Sequence, residues 1–388
     1  MTQGPLEGLL VADFSRVLAG PFATMLLGDL GADVVKVEHP AGGDETRGWG
    51  PPWYGDHSTY YLAVNRNKRS IALDLKTDAG RRAARALATR ADVLVENFKA
   101  GAAERLGLGY EEVGRDNPGL VWCSISGFGR GPGADLPGYD FLVQAMSGLM
   151  SITGPAGGEP TKVGVALVDV LTGLYAFGGV LAALRERDRT GRGQRVEVSL
   201  LGSALASLVN QASSYLCTGK PPRAMGNRHP SITPYETLAT ADRPLVVAVG
   251  NDGQFARLCR VLGVPEAATD PRFATNADRV TNRDALAELL ERALAARGAS
   301  DWVAALSEAR VPCGLVNDVG EAFALAERLG LEPVAAAGGI PQVANPIRLS
   351  SAPASYRLAP PALGEHTAEV LGWLAGPPSG DPGAVPTP

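Results

Sequence analysis

The sequence predicts an α/β fold, with a Rossmann-like large domain built on a parallel sheet and a smaller α+β domain after it. The first observation is a strand, a turn, a helix and a second strand in succession, which is how a βαβ unit opens. The strands are 9–14 and 33–38, and the helix covers 22–30. The second observation is that strands and helices alternate as far as residue 216. The third is a change of composition near Gly219, where prolines and glycines indicate a linker.

The remaining elements of the large domain follow from hydrophobic periodicity. Strands are predicted at 70–75, 92–96, 120–126 and 194–199, and helices at 78–90, 139–149 and 200–216. The glycine run Gly127–Gly133 follows one of these strands. It does not predict a dinucleotide site, because Pro132 prevents the helix that such a motif must open. We expect instead a loop that lies close to a ligand.

Composition also divides the chain into segments. Residues 1–218 form the N-terminal part of the large domain, and 219–328 form the small domain, with a hairpin across 242–244. The segment 329–375 is rich in Ala, Pro and Gly and ends in a helix. The Pro- and Gly-rich tail 376–388 is predicted to be flexible.

Charge and length exclude several classes of protein. The chain has 388 residues, of which 45% are apolar, and a formal net charge of −5. A chain of this kind folds into a globular protein with a sizeable core. Since no run of Lys or Arg stands out, we expect no nucleic-acid partner. The apolar segment 170–184 falls short of the roughly 20 residues that span a bilayer, so we expect no membrane either.

Cysteine and histidine spacing bears on metals and on the cellular compartment. The four cysteines lie far apart without a CxxC pair, and the four histidines show neither HxxxH nor HxH. We therefore expect no metal site and free thiols in a reducing compartment. The N-terminal residues MTQGPLEG lack a basic and then apolar signal segment. A cytoplasmic location follows as an expectation.

Asp169 stands between an apolar lead-in and the long apolar segment that follows it. The pattern predicts a buried helix that begins just after Asp169. One interpretation is that Asp169 is the N-cap of this helix, held ionised by the helix dipole. The other is that a carboxylate in an apolar setting serves as a nucleophile. The basic run 65–69 (NRNKR) is equally open, because it fits a solvated turn or a phosphate-binding edge.

Several stretches, in this order, resemble the family III CoA-transferases, the CaiB/BaiF group that includes formyl-CoA transferase. They are DFSRVLAGPFATMLLGDLGADVVKVE (13–38), GDETRGWGPP (43–52), NRNKRSIALDLK (65–76), VENF (95–98), CSISGFG (123–129), GYD (138–140), VALVDVLTG (165–173), TGRGQ (190–194) and LGEH (363–366). The resemblance covers nearly the whole chain. It implies a homodimer of two interlocked rings, in which 329–375 returns to complete the CoA-binding large domain.

The resemblance also implies residue roles. Asp169 matches the family's catalytic aspartate, and an N-cap role is compatible with it. The matching CoA-contacting positions are Val17, Leu18, His39, Leu73, Asp74, Leu75, Lys76, Asn97, Phe98, Lys99 and Arg105. His39 departs from the arginine that is common there, so one phosphate contact is weakened. CoA and its thioesters enter as substrates, and no tightly bound cofactor is expected.

The implied reaction transfers CoA from an acyl-CoA to a free carboxylate through an aspartyl anhydride and an aspartyl–CoA thioester. Asp140 is a candidate for orienting the acceptor or water, or for capping the helix at Phe141. Gly138 and the glycine loop are candidates for supplying backbone donors to the oxyanions. A dicarboxylate acceptor needs a cation for its far carboxylate, and the candidates are Arg47, Arg66 and Arg228.

The racemase branch of the same superfamily is the main alternative. It is similar to this chain but has a histidine where Tyr139 stands, and proton exchange next to a thioester needs an acid–base pair. The absent histidine therefore disfavours an acyl-CoA racemase, although Tyr139 stays a candidate catalytic residue. The stretches 54–76 and 226–255 look like the succinyl-CoA:glutarate branch, which acts on dicarboxylates.

Overall fold

The structure, a computed structural model, describes residues 4–376 and divides into two compact units. The first unit contains the described residues up to Leu149, Val163–Gly219 and the residues from Glu332 onward. The second contains Met150–Lys162 and Lys220–Leu331. Residues 150–162 therefore belong to the second unit, although the sequence predicted them in the large domain. Ser151 and Gly154 accept backbone hydrogen bonds from Ala224 and Gly226 of that unit. The predicted tail lies outside the described residues from position 377 onward.

A six-stranded parallel sheet forms the centre of the first unit. The first eight strands of the chain are β1 (Leu10–Asp13), β2 (Asp33–Glu38), β3 (Trp53–Tyr54), β4 (His57–Ser58), β5 (Lys68–Ala72), β6 (Val93–Glu96), β7 (Val121–Ser126) and β8 (Arg195–Ser199). The parallel sheet has the order β5-β2-β1-β6-β7-β8, and β3 and β4 form a separate small ribbon. Counting only its own strands, this order is 3-2-1-4-5-6, that of dinucleotide-binding folds.

Helices cover both faces of this sheet. The helices in this part of the chain, several of which form these layers, are α1 (Ala19–Asp29), α2 (Thr59–Leu62), α3 (Asp78–Arg90), α4 (Ala102–Arg105), α5 (Tyr110–Asp116), α6 (Asp140–Met146), α7 (Leu167–Thr190), α8 (Leu200–Ser207) and α9 (Val209–Thr218). Successive strand residues point to opposite faces. Val11 and Val93 therefore join one apolar core with α1 and α7, while Leu10 and Leu94 join the other with α3 and α5. The predicted α/β class with a parallel sheet is confirmed.

The helix α7 is longer than the sequence analysis predicted. It starts at Leu167, before Asp169, and its charged last turns carry it to Thr190, where Gly191 ends it with φ 71°. By length and composition α7 could cross a membrane. Its residues Ala176 and Val180, however, are buried in the core beside the sheet. This packing is that of a core helix.

The second unit is α+β, as predicted. Its elements are β9 (Tyr235–Leu238), β10 (Leu245–Ala248), α10 (Asp252–Val261), α11 (Asn276–Thr281), α12 (Arg283–Leu294), α13 (Ala299–Glu308), β11 (Cys313–Leu315) and α14 (Val319–Arg328). The predicted hairpin is the antiparallel pair β9–β10, and β11 extends it on the far side of β10. The chain then adds β12 (Val334–Ala337), β13 (Ile340–Val343) and α15 (Thr367–Ala375) to the first unit.

Candidate active site

A cleft of about 400 Å³ opens in the first unit at the carboxyl ends of β1, β6 and β7. Between β1 and β6 the strand order reverses, and open α/β sheets bind ligands at such a point. The turn after β1 and the segment after β6 line the cleft, together with the loop before α6 and Asp169. Eight predicted residues meet here: Val17, Leu18, Asn97, Phe98, Lys99, Gly138, Tyr139 and Asp169.

Asp169 is the third residue of α7 and does not cap it. The N-cap position is Ala166, which has no side chain able to accept a hydrogen bond. Asp140 Oδ1 caps the helix instead, accepting from the backbone N–H of Val168 at 2.8 Å and of Asp169 at 3.3 Å. The predicted N-cap role of Asp169 is therefore wrong. The predicted cap role of Asp140 at its own helix is wrong too, since α6 begins at Asp140 and its N-cap is Tyr139.

Gln144 holds Asp140 in this position. Gln144 is fully buried, and its Nε2 donates to Asp140 Oδ2 at 2.7 Å. Its Oε1 accepts from the backbone N–H of Val163 at 2.9 Å, just before α7. The role of Gln144 was not predicted from the sequence. Its position four residues after Asp140 puts both side chains on one helix face, and this spacing could have indicated their contact.

The carboxyl of Asp169 is not held strongly ionised. Burial, and then the nearby carboxylate of Asp140, raise the pKa of Asp169 to about 7. The expectation that the helix dipole would keep this group ionised is therefore corrected. At neutral pH the carboxyl exchanges its proton readily, and its deprotonated form is a poorly solvated and hence stronger nucleophile.

Tyr60 lies near these carboxylates, and no role was predicted for it from the sequence. Burial, followed by the charges of Asp169, Asp140 and Asp44, raises the pKa of Tyr60 to about 12. Its hydroxyl is therefore a neutral donor over the physiological range. The ring of Tyr60 packs edge-on against Trp49, with centroids 5.1 Å apart. Both aromatic residues lie in stretches that carry the family resemblance, but no role was predicted for either, because the proximity of Tyr60 to Asp169 arises only from folding.

The turn after β1 has a strained backbone. Val17 has φ 70°, the left-handed region that a β-branched residue rarely adopts, at a typical cost of about 1–3 kcal/mol. Its N–H donates to the carboxylate of Asp44, at 3.2 and 3.3 Å from the two oxygens. The side chain of Asn97 clamps the preceding residue: Arg16 N donates to its Oδ1 at 3.0 Å, and its Nδ2 donates to Arg16 O at 2.8 Å.

The last residue of β6 is a buried acid, Glu96. Its Oε2 accepts from the backbone N–H of Phe98 at 2.7 Å, and burial raises its pKa to about 7. Phe98 packs against Phe14, with ring centroids 6.3 Å apart. Lys99 follows on the cleft wall. Glu96 was missed, although it ends an apolar strand where ligand-binding residues are expected.

Gly127 and Gly138 let two loops of the cleft touch through their backbones. A Cβ built on Gly127 would lie 2.5 Å from the Cα of Gly138, and the converse distance is also 2.5 Å. Neither position tolerates a side chain without movement of the other loop. The glycine loop thus comes close to a neighbour, as the sequence suggested, and both glycines line the cleft.

The other predicted CoA contacts do not line this cleft. His39 Nε2 lies 3.9 Å from Asp74 Oδ1, and the same oxygen accepts from the N–H of Lys76 at 2.9 Å. Leu73 is buried in the core and Leu75 packs against it. Arg105 lies in a second, open groove of about 770 Å³ whose other cations are Arg81, Arg82 and Arg85.

The three arginines proposed for the acceptor also lie outside the cleft lining, each next to carboxylates of its own unit. Arg47 binds both oxygens of Glu38, at 2.8 and 2.7 Å, and Arg66 binds both oxygens of Asp29, at 2.8 and 2.7 Å. Arg228 contacts Glu236 at 2.9 Å and Asp284 at 2.6 Å in the second unit. These ion pairs could not be predicted from the sequence, because their partners lie far apart in the chain and meet only in the fold.

Within residues 4–376, no group of three or more His, Cys, Asp and Glu side chains is arranged to hold a metal ion. The polar groups near the nucleophile position are the Asp169 carboxyl with its raised pKa, the capping carboxylate of Asp140 and the neutral hydroxyl of Tyr60.

Comparison with known proteins agrees with this geometry. Residues 6–367 match the model of "CoA-transferase family III". The chain is 46% identical to the succinate–glutarate CoA-transferase of Agrobacterium fabrum, over 95% of this chain and 96% of the relative. It is 45% identical to the acetyl-CoA:oxalate CoA-transferase of Acetobacter aceti, over 90% of each. A crystal structure of a CaiB/BaiF family protein from Brucella suis is similar with a TM-score of 0.87 and 44% identity, covering 96% of this chain and 100% of that one. The chain belongs to CoA-transferase family III and is a CoA-transferase.

Proposed function

We propose that this CoA-transferase moves CoA from succinyl-CoA to a short dicarboxylate such as glutarate, with Asp169 as the nucleophile. The observation that carries the proposal is the position of Asp169 on the first turn of α7, facing the cleft at the reversal of the strand order. The relatives support the substrate class, because the names of both include the anion of a dicarboxylic acid, glutarate or oxalate.

The reaction runs through three covalent states of Asp169: an anhydride with the donor acid, a thioester with CoA and an anhydride with the acceptor acid. Its carboxylate attacks the thioester carbonyl, the C–S bond breaks, and an anhydride and the CoA thiolate form. The thiolate attacks the aspartyl carbonyl, which releases succinate and leaves an aspartyl–CoA thioester. The acceptor carboxylate then attacks this thioester, its C–S bond breaks, and a second anhydride and the CoA thiolate form. The thiolate attacks the acceptor carbonyl of this anhydride, which gives the new acyl-CoA and frees the Asp169 carboxylate.

The neighbours of Asp169 have distinct roles in this scheme. Asp140 and Gln144 hold the end of α7, so that the carboxylate meets the thioester in one orientation. Tyr60 is proposed to donate its hydroxyl to a developing oxyanion, because the hydroxyl is neutral and the charge of Asp169 acts on it. Tyr139 and Gly138 line the same wall and are proposed to contact the acyl group.

We propose that CoA binds with its thioester end between the β1–α1 turn and the segment 97–99. Val17, Leu18, Asn97, Phe98 and Lys99 line that part of the cleft. The far end of CoA is proposed to run towards the remaining family positions: His39, Leu73, Asp74, Leu75, Lys76 and Arg105. CoA is a substrate in this scheme, and no tightly bound cofactor is proposed.

The decisive experiment is an acyl-exchange assay. Purified protein is incubated with succinyl-CoA and one free acid at a time (glutarate, oxalate, mesaconate, citramalate or malate), and new CoA thioesters are separated by chromatography. We expect a new thioester with at least one dicarboxylate, and none with Asp169→Ala. Exchange that persists in the variant would contradict the role of Asp169. Exchange with monocarboxylates alone would contradict the substrate class.

The racemase alternative is tested in the same reactions. When a branched acyl-CoA is incubated in deuterated water, a racemase incorporates deuterium next to the thioester. We expect no incorporation, because Tyr139 replaces the histidine that the racemase branch uses. Deuterium uptake without CoA transfer would favour the racemase.

A second copy of this chain is the proposed partner, in the interlocked homodimer that the family resemblance implies. Apolar side chains on α6 to α9 support it. In the monomer the exposed fractions are 80% for Leu216, 69% for Val209, 59% for Met146 and 57% for Phe141. Exposed apolar surface of this extent indicates an interface. Light scattering should give twice the monomer mass, and tagged and untagged copies should not exchange unless they are unfolded together.

A cytoplasmic location is proposed as well, with neither membrane nor nucleic acid as a partner. The four cysteines support a reducing compartment, since all are free and Cys123 and Cys259 are buried. Fractionation of the native host should recover the protein with the soluble cytoplasmic enzymes. Recovery with the membrane fraction would contradict the proposal.

A further inference from the structure

The buried ion pair Lys36–Asp44 lies directly behind the cleft wall. Lys36 Nζ and Asp44 Oδ2 are 2.9 Å apart, and both side chains are fully buried. Neither residue lines the cleft itself. Burying two charges costs solvation free energy, and only good geometry with further hydrogen bonds compensates for it. The Lys36–Asp44 pair must therefore make further hydrogen bonds.

Both members of the pair bind the backbone of the β1–α1 turn. Lys36 Nζ donates to the carbonyl of Ser15 at 2.9 Å. The Asp44 carboxylate accepts from the N–H of Val17, and from the N–H and hydroxyl of Thr46 at 3.0 and 2.8 Å. The pair thus contacts the turn on both sides of Arg16.

Val17 is the residue of this turn whose backbone conformation must be stabilised by its neighbours. At φ 70° a valine is strained, so it keeps this conformation only if its surroundings over-determine it. The turn leads into α1, whose first residue packs closely on α7: a Cβ built on Gly173 would lie 2.7 Å from the carbonyl oxygen of Ala19. Gly173 lies one helical turn after Asp169. Val17 and Asp169 both line the cleft, so the nucleophile shares its cleft with this strained turn.

We propose that Lys36 and Asp44 are positioning residues of the transferase reaction, which hold Val17 in its left-handed conformation so that the turn 16–19 receives the CoA thioester beside Asp169. The inference rests on the proposed function, since it assigns the turn to CoA. It goes beyond that function because neither residue touches the substrate.

The test compares Asp44→Asn with the double variant Asp44→Asn/Val17→Gly. Asp44→Asn keeps the shape of the side chain but removes the charge that Lys36 and the Val17 N–H share. We expect a rise of about tenfold to a hundredfold in the KM for succinyl-CoA and in the Kd for CoA from calorimetry. Since Val17 lines the cleft itself, the single variant Val17→Gly is the reference for the double variant. Because glycine adopts a positive φ without strain, Asp44→Asn should cost much less CoA affinity in the Val17→Gly background than in wild type. The KM for the acceptor acid should change little.

A matched control is Asp29→Asn. It breaks another buried ion pair in the same unit, with Arg66 at 2.7 Å, away from the turn. We expect it to lower thermal stability without raising the Kd for CoA. If Asp44→Asn fails to fold, Asp44→Glu replaces it, because it keeps the charge and displaces the acceptor from the Val17 N–H by one methylene. The CoA affinity should still fall.

Three outcomes are separable. If Asp44→Asn and Asp44→Glu bind CoA and turn over as wild type does, the positioning role is wrong. If they lose as much affinity in the Val17→Gly background as in wild type, the pair supports general stability only, and the proposal is also wrong. If the variants show the expected pattern of CoA affinities but wild-type protein exchanges no acyl group, the proposed transferase function fails while the positioning of the turn stands.

Discussion

Asp140 and Asp169 are two carboxylates joined through one helix end, for Asp140 Oδ1 accepts the backbone N–H of Asp169 at 3.3 Å. The same contact orients the Asp169 residue and brings a negative charge close to its side chain. Orientation favours attack on a thioester, whereas the charge raises the pKa of the attacking group. Variants of Asp140 and the pH dependence of activity separate the effect of orientation from the effect of charge.

Replacing Asp140 by asparagine should separate charge from geometry. The amide oxygen can still accept from Val168 and Asp169, but the charge is gone and an amide nitrogen replaces the oxygen that accepts from Gln144 Nε2. We expect the apparent pKa of the nucleophile in the profile of kcat/KM to fall, with a modest loss of kcat. Asp140→Ala, which removes the cap, should lower kcat about tenfold or more and stability by about 1 kcal/mol.

The control for this pair is Asp188→Asn, at the exposed far end of α7. It makes the same charge change on the same helix and should leave the kinetic profile unchanged. An unchanged apparent pKa in Asp140→Asn would show that the Asp140 charge does not act on the nucleophile.

Activity should rise with pH through about 7. The pKa of Asp169 is raised to about 7, and only the deprotonated carboxyl attacks, so activity is lost as pH falls below that value. The measurement is log kcat/KM from pH 5.5 to 8.5 at constant ionic strength. Since the pKa of Glu96 is also raised to about 7, the series is repeated in Glu96→Gln. The acid limb should persist there, and its disappearance would assign it to Glu96.

The partly buried carboxyl of Asp169 should cost the protein stability at neutral and higher pH. The folded-state pKa of Asp169 lies above its usual value of 3.8, so the folded state binds the extra proton between about pH 4 and 7. This stabilising contribution is full below the unfolded pKa and is lost as pH rises through 7. Asp169→Asn cannot ionise and should gain relative to wild type by at most about 1.4 kcal/mol per pH unit over that range.

Denaturant unfolding at pH 5, 6, 7 and 8 measures this difference. The free energy of unfolding of Asp169→Asn minus that of wild type should increase with pH and level off above 7. A constant difference would mean that the carboxyl ionises equally well in the folded and unfolded states.

A side chain at the loop contact should impair the cleft. Gly138→Ala places a methyl group where the Cα of Gly127 lies 2.5 Å away, so one loop must move. We expect kcat/KM to fall about tenfold or more, with a small change in thermal stability because both loops are near the surface. Gly131→Ala is the matched control, since nothing lies within 4 Å of a Cβ there. Equal activity of the two variants would contradict the close contact.

Arg47 should prove structural and not acceptor-binding. Its guanidinium also donates to Tyr61 Oη at 2.6 Å and to the carbonyl of Pro361 at 3.0 Å, besides its two bonds to Glu38. Arg47→Lys cannot reproduce this fork, so the melting temperature should fall. The KM for the acceptor acid should stay within about twofold of wild type in the protein that remains folded. A large rise in that KM alone would restore the acceptor role.

Elements set by local periodicity could be predicted from the sequence. The parallel strands 9–14, 33–38 and 92–96 and the core helix after Asp169 follow from the spacing of apolar residues, which any fold must bury. The cleft follows in part, because residues after parallel strands meet at one sheet edge. The boundaries were less predictable. The helix α7 starts two residues before Asp169 because the carboxylate of Asp140, 29 positions before Asp169 in the chain, accepts hydrogen bonds from its first turn.

The sequence by itself determined the α/β class, the family and the choice of Asp169, because these rest on local pattern and ordered motifs. Only the tertiary structure decided which charges are available for chemistry. Arg47 and Arg66 appeared free in the sequence and are bound to Glu38 and Asp29. Lys36 and Asp44 appeared unremarkable and form a buried pair behind the cleft. The physical reason is that ion pairing and burial depend on distances between residues far apart in the chain, and these distances exist only once the sheet has formed.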